Sequence, residues 1–480
     1  MSDHAPFLEN AFRTALVEDA YVIDAIDGEV PAFVRGTYYL NGPAFVSRNG
    51  FGYHHWLDGD GMVCALRFEP GRLHFTNRFV RSTKFLTEED AGRPVFRAFG
   101  SGFPGDRLKR GLATESPINV SVYPYRETLL AFGENSLPCE LDPITLHTRE
   151  PFTFGGQLND VSPFAAHPKF HPVSGDLFNF GVSFSAREPC LHLYRFDVAG
   201  MLCYRRRVPL PYPCSVHDFS LTPRYVVFYL SPYLLDLTGL LREGRTTLEC
   251  LRWQPERGSR LLIVDGATGE EVATVAVGGR YCLHHINAYE DGPRLVVDAI
   301  EYERPLYDQY QPLPYLFTDV SPGWPARLVV DLTERSVRQR RAIAYNRAPD
   351  FPSLDPTRAG RPYEQFWMLG ISATGRHGRK FFDQLVLADW RFPQPVSVYQ
   401  APPLHYLASE PVFIGDPDNP EAAVVLCQLF DAIRATSRFV FFDAFNPAAG
   451  PIATIRLRSP IHLGFHAAFQ SRQDGGFHDA

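Results

Sequence analysis

Short runs of alternating apolar and polar residues, separated by turns rich in Pro, Gly and Asp, fill most of the chain after its first twenty residues. Alternation with a period of two is typical of half-buried strands. One unit recurs, in which an apolar strand, an acidic turn and a second strand follow each other. We interpret each unit as a β-hairpin, because Asp, Gly and Thr favour tight turns. These turns lie at Glu69, Asp142, Asp197, Asp265, Asp331, Asp389 and Asp443.

The clearest helical periodicity lies at the N-terminus. Residues 5–17 place Phe7, Leu8, Ala11 and Phe12 at helical spacing, with polar residues opposite. We predict an amphipathic helix and tail over residues 1–20. Such a helix docks on its own domain or lies on a membrane surface.

The hairpin pattern predicts an all-β fold. Seven or eight hairpins at intervals of roughly 25 to 75 residues fit a β-propeller, in which antiparallel sheets repeat around an axis. A double sandwich would contain similar strands, but only an axial arrangement brings widely separated segments together without long loops. We therefore predict one β-propeller domain over residues 1–480.

Two apolar insertions interrupt this pattern, near residues 231–245 and 307–323. One interpretation is that they pack, with other loops and short helices, as a cap over one end of the propeller. The other is that they form an apolar rim that touches lipid, since contiguous apolar patches often mark an interaction site. The residues proposed for that rim are Leu234, Leu235, Leu237, Leu240 and Leu241.

Composition narrows the range of partners. A net charge of −7, with the Arg residues spread along the chain, argues against a nucleic-acid partner. The eight Cys form no CxxC pair, which favours reduced thiols in the cytoplasm. The N-terminus has no signal-peptide pattern and no apolar run is long enough to span a bilayer, so we predict a cytoplasmic protein, peripheral on a membrane at most. The sequence is silent on oligomeric state.

Four of the sixteen histidines stand out, each beside a β-rich run and a small or turn residue. Side chains in such positions project inward from strand ends, and neutral imidazoles suit Zn, Cu, Fe or Ni. The absence of nearby Cys ligands and of an HExxH pattern argues against a structural zinc site and against a zincin. The four candidate ligands are His167, His217, His284 and His466.

A series of motifs, in order from Val30 to Phe469, resembles the carotenoid cleavage oxygenase family. VPAFVRGTYYLNGPAF and HHWLDGDGMVCALRF come first, the second being similar to that family's FDGDGM signature. They are followed by NRFVRSTKF, AHPKFHP, VHDFSLTPRYVVF, HHINAYEDG, SEPVFIGD and GFHAAF. Each motif is weak alone, and their shared order makes the resemblance specific.

The resemblance implies a seven-bladed propeller with a non-haem Fe(II) on the axis, held by the four histidines. It selects His284 over His285, because the family's ligand in HHINAY stands three residues before the Asn. It also implies carboxylates on the ligand N–H groups, at Glu134, Glu410 and Asp350. The family usually has Glu where Asp350 stands, so we expect Asp350 to reach its histidine only through a water or after a small backbone shift.

The substrate assignment also follows from the resemblance. Stilbene-cleaving members place Tyr and Lys where this chain has Phe85 and Gly133, so a buried phenol would lose its polar partners here. An apolar polyene fits better. The candidate residues for its tunnel wall are Val120, which would also limit access to one iron position, with Phe85, Phe351 and Phe465.

The resulting hypothesis is an Fe(II) dioxygenase that cleaves a conjugated C=C bond of a carotenoid or apocarotenoid with O2 into two carbonyl products. Stilbene cleavage is the first alternative, and a propeller that binds isoprenoids without cleaving them is the second. Isomerohydrolase activity is less favoured, because it occurs in a narrow branch of the family.

Overall fold

Seven antiparallel sheets of four or five strands form the ring of the computed structural model. Each sheet is one blade, and one edge strand of each sheet lies beside the common axis. We number the blades 1 to 7 in the chain order of their second strands, counted from the axis. The structure describes residues 7–12, 17–109, 114–185, 188–306, 310–374 and 380–472.

The strands of the first four blades are given from the axis outward. Blade 1 contains Ala467–Ser471, Gly36–Phe45, Asp60–Glu69, Arg72–Phe79 and Asp19–Val22. Blade 2 contains Ser121–Tyr125, Thr128–Phe132, Cys139–Leu141 and Thr148–Pro151. Blade 3 contains Lys169–Phe170, Leu177–Ser183, Cys190–Phe196 and Leu202–Pro209. Blade 4 contains Phe219–Leu221, Tyr225–Leu230, Ser259–Asp265 and Glu271–Gly278.

The remaining three blades follow the same plan. Blade 5 contains Tyr281–Asp291, Arg294–Tyr302, Gly323–Asp331 and Ser336–Ala342. Blade 6 contains Asp350–Ser353, Gln365–Gly370, Gln384–Asp389 and Ser397–Gln400. Blade 7 contains His405–Asp416, Asn419–Asp431, Thr436–Asp443, Pro451–Arg456 and Ile26–Gly28. The predicted seven-bladed propeller is confirmed.

Segments from near both ends of the sequence close the ring. In blade 1 the strand Gly36–Phe45 pairs with Ala467–Ser471, and in blade 7 the strand Ile26–Gly28 pairs with Pro451–Arg456. Backbone hydrogen bonds therefore join the two ends of the described chain twice, in neighbouring sheets.

The predicted acidic turns are confirmed, one for each blade. Every one joins the third and fourth strands counted from the axis. At six of the seven turns the Asp carboxylate accepts backbone N–H groups of its own turn, which stabilises the reversal of the chain. These six are Asp142, Asp197, Asp265, Asp331, Asp389 and Asp443.

Short helices and two-stranded ribbons cover one end of the axis, as the predicted cap, while Pro356–Arg358 and Pro447–Ala449 lie in connections at the other end. The α-helices of the described residues are Thr83–Ala91, Leu237–Arg242 and Thr247–Cys250. The 3-10 helices are Leu8–Phe12, Trp56–Asp58, Pro255–Arg257, Pro356–Arg358 and Pro447–Ala449. The ribbons pair Tyr233–Leu235 with Leu251–Trp253, Tyr310–Gln311 with Leu316–Phe317, and Ser47–Arg48 with Phe51–Gly52.

The structure corrects the predicted apolar rim. Leu234, Leu235 and Leu240 are buried, because the ribbon and helix that carry them pack on the protein's own apolar core. Leu237 is half-buried, and only Leu241 is exposed. Most of this insertion is therefore a cap, as the first interpretation predicted.

The N-terminal segment is only partly described. Leu8–Phe12 forms a short 3-10 helix within the predicted helical stretch, while residues 1–6 and 13–16 of the predicted helix and tail lie outside the described residues. Phe12 packs edge-on against Trp56 and Phe381, and the Asn10 amide donates to the Ala432 carbonyl. This stretch docks on its own fold. In the described part of the chain no helix is long and apolar enough to cross a membrane.

Candidate metal centre

The four predicted histidines meet on the propeller axis. His284 lies within the axial strand of blade 5, and His466 directly precedes that of blade 1. His167 and His217 stand two residues before the first residues of the axial strands of blades 3 and 4. One ring nitrogen from each histidine lies within 4.8 Å of the other three. The fold thus brings together four segments that are far apart in sequence.

The spacing of these nitrogens suits a metal ion. The Nε2 atom of His217 lies 2.9 Å from that of His167 and 3.2 Å from that of His284. Two nitrogens at about 2.1 Å from one ion and at right angles would be about 3.0 Å apart. The three rings are also close to perpendicular, at 71° to 77° to one another.

Three carboxylates face the outer sides of these rings. Glu134, Asp350 and Glu410 come from blades 2, 6 and 7, the blades that contribute none of the four histidines. Their oxygens lie 2.8 Å, 2.5 Å and 3.2 Å from the Nδ1 atoms of His217, His284 and His466 respectively. A carboxylate in this position holds the ring hydrogen on Nδ1, so Nε2 presents its lone pair to the centre.

The contact of Asp350 with His284 is direct, so the expected bridging water is not needed. Strand pairing is irregular between Asp350 and Ser353, and Phe351 adopts a positive φ of 51°. The Phe351 N–H donates to the same Asp350 oxygen that contacts His284. The strand is therefore irregular at the point where the short Asp350 side chain contacts His284. Strand bulges often redirect a side chain in this way. Ser409, just before Glu410, likewise has a positive φ, of 66°.

Electrostatics favour the neutral imidazole at two of the four histidines, His167 and His466. Burial, together with the neighbouring histidines, holds the pKa of His167 and of His466 well below the usual range. Burial raises the pKa of Glu410 to about 7, although Lys169 and His284 oppose the shift. For His217, burial lowers the pKa but the Glu134 carboxylate outweighs it, and the net shift is upward.

The donor set therefore fits a divalent metal ion. The carboxylates behind His217 and His284 favour a hydrogen on each Nδ1, an arrangement in which two lone pairs face each other across 3.2 Å. A cation between them removes that repulsion, and four imidazole nitrogens suit a transition metal. This centre is a four-histidine metal-binding site.

A small apolar cavity of about 50 Å³ opens beside the histidines. Val120, Phe351 and Phe465, which were predicted as tunnel residues, all line it. Sequence reasoning missed most of the wall, although Trp56 lies in the quoted HHWLDGDGM motif and Tyr310 in the predicted cap. The missed residues are His55, Trp56, Leu57, Leu283, Leu306, Tyr310, Phe317 and Phe382.

Phe85 lies elsewhere, which corrects its prediction as a tunnel residue. It sits in the helix Thr83–Ala91 and packs on Phe79 and Phe45, in a core separate from the one around the cavity. The guanidinium groups of Arg48 and Arg81 lie over its ring. Its role is packing.

Comparison with known proteins gives matches over almost the whole chain. A family profile described as Retinal pigment epithelial membrane protein (RPE65) matches residues 12–471. The chain is 28% identical to an apocarotenoid-15,15'-oxygenase of Synechocystis, over 94% of this chain and 93% of that protein. It is 28% identical to an isoeugenol monooxygenase of Pseudomonas putida, over 96% and 97%. A structure of cobalt-substituted Synechocystis ACO superposes with a TM-score of 0.87 at 25% identity, covering 97% of this chain and 98% of that one.

Proposed function

The chain belongs to the RPE65 family, which includes the carotenoid cleavage oxygenases, and from that premise we propose that it cleaves a conjugated C=C bond of an apocarotenoid or carotenoid with O2, giving two carbonyl products. One observation carries the proposal: a largely aromatic and aliphatic cavity, whose lining carboxylate Asp350 is paired with His284, opens directly onto the four-histidine centre. Apocarotenoid oxygenase is also the named activity of a relative matched over nearly its full length.

We propose Fe(II) as the metal, held by His167, His217, His284 and His466. Bound there, the metal would supply the activation of O2 that no side chain can provide. Four neutral ligands add no negative charge, and the carboxylates of Glu134, Asp350 and Glu410 balance the charge from behind the rings.

The remaining work of the site is orientation and exclusion of water. Phe351 and Phe465 lie nearly parallel, 6.4 Å apart, and Phe351 also lies 5.2 Å from the His466 ring. Flat rings so placed can hold a flat polyene in one orientation beside the histidines. Val120 lies on the same wall, and its backbone carbonyl accepts the backbone N–H of His466. This bond fixes the position of the Val120 methyl groups relative to the metal centre.

Cleavage of a phenylpropanoid double bond is the second candidate, because one full-length relative is an isoeugenol monooxygenase. The position at which stilbene cleavers place Lys is Gly133, and a Cβ there would collide with Ser116 Oγ. Rotation of the Ser116 side chain would relieve that contact, but the glycine itself offers a phenol no ammonium partner. This observation favours the apolar polyene.

A substrate panel tests the proposal. The protein is reconstituted with Fe(II) without oxygen and then given O2 with an apocarotenal, a carotenoid, isoeugenol or resveratrol. We expect aldehyde products, identified by mass, from the apocarotenal or the carotenoid at rates at least tenfold above those from the phenols. Faster turnover of isoeugenol or resveratrol would favour the second candidate. Absence of turnover and of bound iron would indicate a binding protein.

We also propose that the protein is cytoplasmic and that its cap touches a membrane, where apolar polyenes reside. Two cap side chains support this: Leu241 is 54% exposed and Tyr315 is 53% exposed. They belong to the two insertions that the sequence singled out, and neighbouring residues of both insertions pack into the core around the cavity. Exposed apolar groups of this kind favour contact with lipid.

Liposome binding checks this contact. We expect the double variant Leu241→Ser, Tyr315→Ser to bind phospholipid vesicles several-fold more weakly, since two exposed apolar groups are lost. Turnover of a detergent-dispersed apocarotenal should be unchanged. Val198→Ser, which removes an apolar side chain of 65% exposure in a blade 3 turn, is the control. Equal vesicle binding by all three proteins would refute the proposal.

A further inference from the structure

One ion pair, between a half-buried lysine and a buried aspartate, links three of the four histidine-bearing segments. The Lys169 Nζ lies 2.9 Å from Asp218 Oδ1, and the other oxygen, Oδ2, accepts the backbone N–H of His285 at 2.9 Å. Lys169 is two residues after His167, Asp218 follows His217 directly, and His285 follows His284 directly. The side chain of Asp218 is 3% exposed and that of Lys169 is 32% exposed.

These contacts cross between blades. Lys169 belongs to the axial strand of blade 3, Asp218 immediately precedes that of blade 4, and His285 lies in that of blade 5. The three strands belong to different sheets, so no backbone ladder fixes one relative to another. Side-chain contacts must therefore set the distances between His167, His217 and His284.

His167 needs such support more than the other ligands. Among the described residues no carboxylate forms an ion pair with it, whereas His217, His284 and His466 each have one. The chain connects His167 to Lys169 through one intervening residue, and the ion pair then anchors Lys169 to the segment that carries His217.

We propose that Lys169 and Asp218 are positioning residues of the metal centre, which tie the segments of His167, His217 and His284 together and so set the geometry in which the metal is held. The inference rests on the proposed metal function. A second contact supports it, because Ser220 Oγ lies 2.9 Å from His285 Nδ1 and joins the same two segments of blades 4 and 5.

Metal affinity tests the proposal without any substrate. Metal-free protein is titrated with Fe(II) and, separately, with Co(II) under anaerobic conditions, and the Co(II) absorption spectrum is recorded. For Lys169→Met, which keeps the aliphatic stem but removes the charge, we expect affinity to fall about 10- to 100-fold, the usual cost of losing support behind metal ligands. The Co(II) bands should also shift, because the ligand geometry changes. Lys169→Arg should restore most of the affinity.

A matched ion pair in the same blade provides the control. Arg195 is 26% exposed and pairs at 2.7 Å with Asp176, which is 8% exposed, and it contacts none of the four histidines among the described residues. Arg195→Met should keep the wild-type affinity within about twofold, since its pair lies outside the network. An equal loss in Arg195→Met would mean that any broken ion pair weakens the fold, and would overturn the proposal.

A second variant keeps the test decisive if Lys169→Met does not fold. Asp218→Asn retains an oxygen for the His285 N–H but loses the charge that binds Lys169, and we expect at least a tenfold loss of affinity. Unchanged affinity and spectrum in Asp218→Asn would overturn the proposal. Failure of the wild-type protein to bind either metal would instead reject the proposed function, so the two failures are distinguishable.

Discussion

Replacing His284 with Ala is expected to abolish metal binding and turnover. The substitution removes one of four ligands and leaves the Asp350 carboxylate, buried and 2.5 Å from the lost ring, without its partner. A metal contributes several kcal/mol to the reaction it supports, and each 1.4 kcal/mol is tenfold in rate, so we expect a loss of about a thousandfold or more. Iron content by elemental analysis and turnover of an apocarotenal are the measurements.

The neighbouring histidine provides the control. The His285 side chain is also buried, but its Nδ1 lies beside Ser220 Oγ and the residue is absent from the four-histidine cluster. His285→Ala keeps the backbone N–H that binds Asp218 but loses the Ser220 contact, so it should retain bound iron with an affinity lowered far less than in His284→Ala. Iron retained by His284→Ala, or lost equally in both variants, would contradict the assignment of His284 as a ligand.

The second large effect concerns stability rather than the metal. Lys84 is buried, and its Nζ lies 2.8 Å from Asp60, 3.0 Å from Glu88 and 3.0 Å from the Tyr53 hydroxyl. Lys84→Met would leave these two buried carboxylates with Arg48 as their remaining cation. Removing one partner of a buried charge cluster costs about 3–5 kcal/mol, and we expect the free energy of unfolding to fall by about that amount.

Chemical denaturation measures this loss, with Arg149→Met as the control. Arg149 pairs with Glu140 at 2.7 Å but is half exposed, and exposed pairs contribute at most about 1 kcal/mol. The Lys84→Met protein that remains folded should still bind iron, because Lys84 contacts none of the four histidines. A loss no greater than that of Arg149→Met would show that the cluster does not stabilise the fold.

Much of the architecture was predictable from local chemistry. An Asp turn can be recognised within a few residues because its own backbone N–H groups bind the carboxylate, as Asp265 does with Ala267 and Thr268. The choice of His284 over His285 came instead from the family resemblance. It agrees with the structure, where His284, and not His285, joins the cluster.

The cavity wall and the role of the signature motif were harder to predict. Phe85 and Phe465 are both buried aromatic residues, and only the tertiary fold places one in a helix core and the other beside the histidines. Asp60, in the motif that resembles FDGDGM, binds Lys84 and Arg48 in a charge cluster rather than the metal. Short-range pattern carries no information about such distant partners.

The double closure of the ring has a consequence for biosynthesis. Blade 1 contains Gly36–Phe45, made early, and Ala467–Ser471, made late, and His466 stands directly before the late strand. While the ribosome is still adding blade 7, the early strand lacks its axial neighbour and keeps an unpaired edge. The nascent protein therefore cannot assemble its full ligand set until residue 466 has left the ribosomal tunnel, so the four-histidine site is completed only after blade 7 has been made.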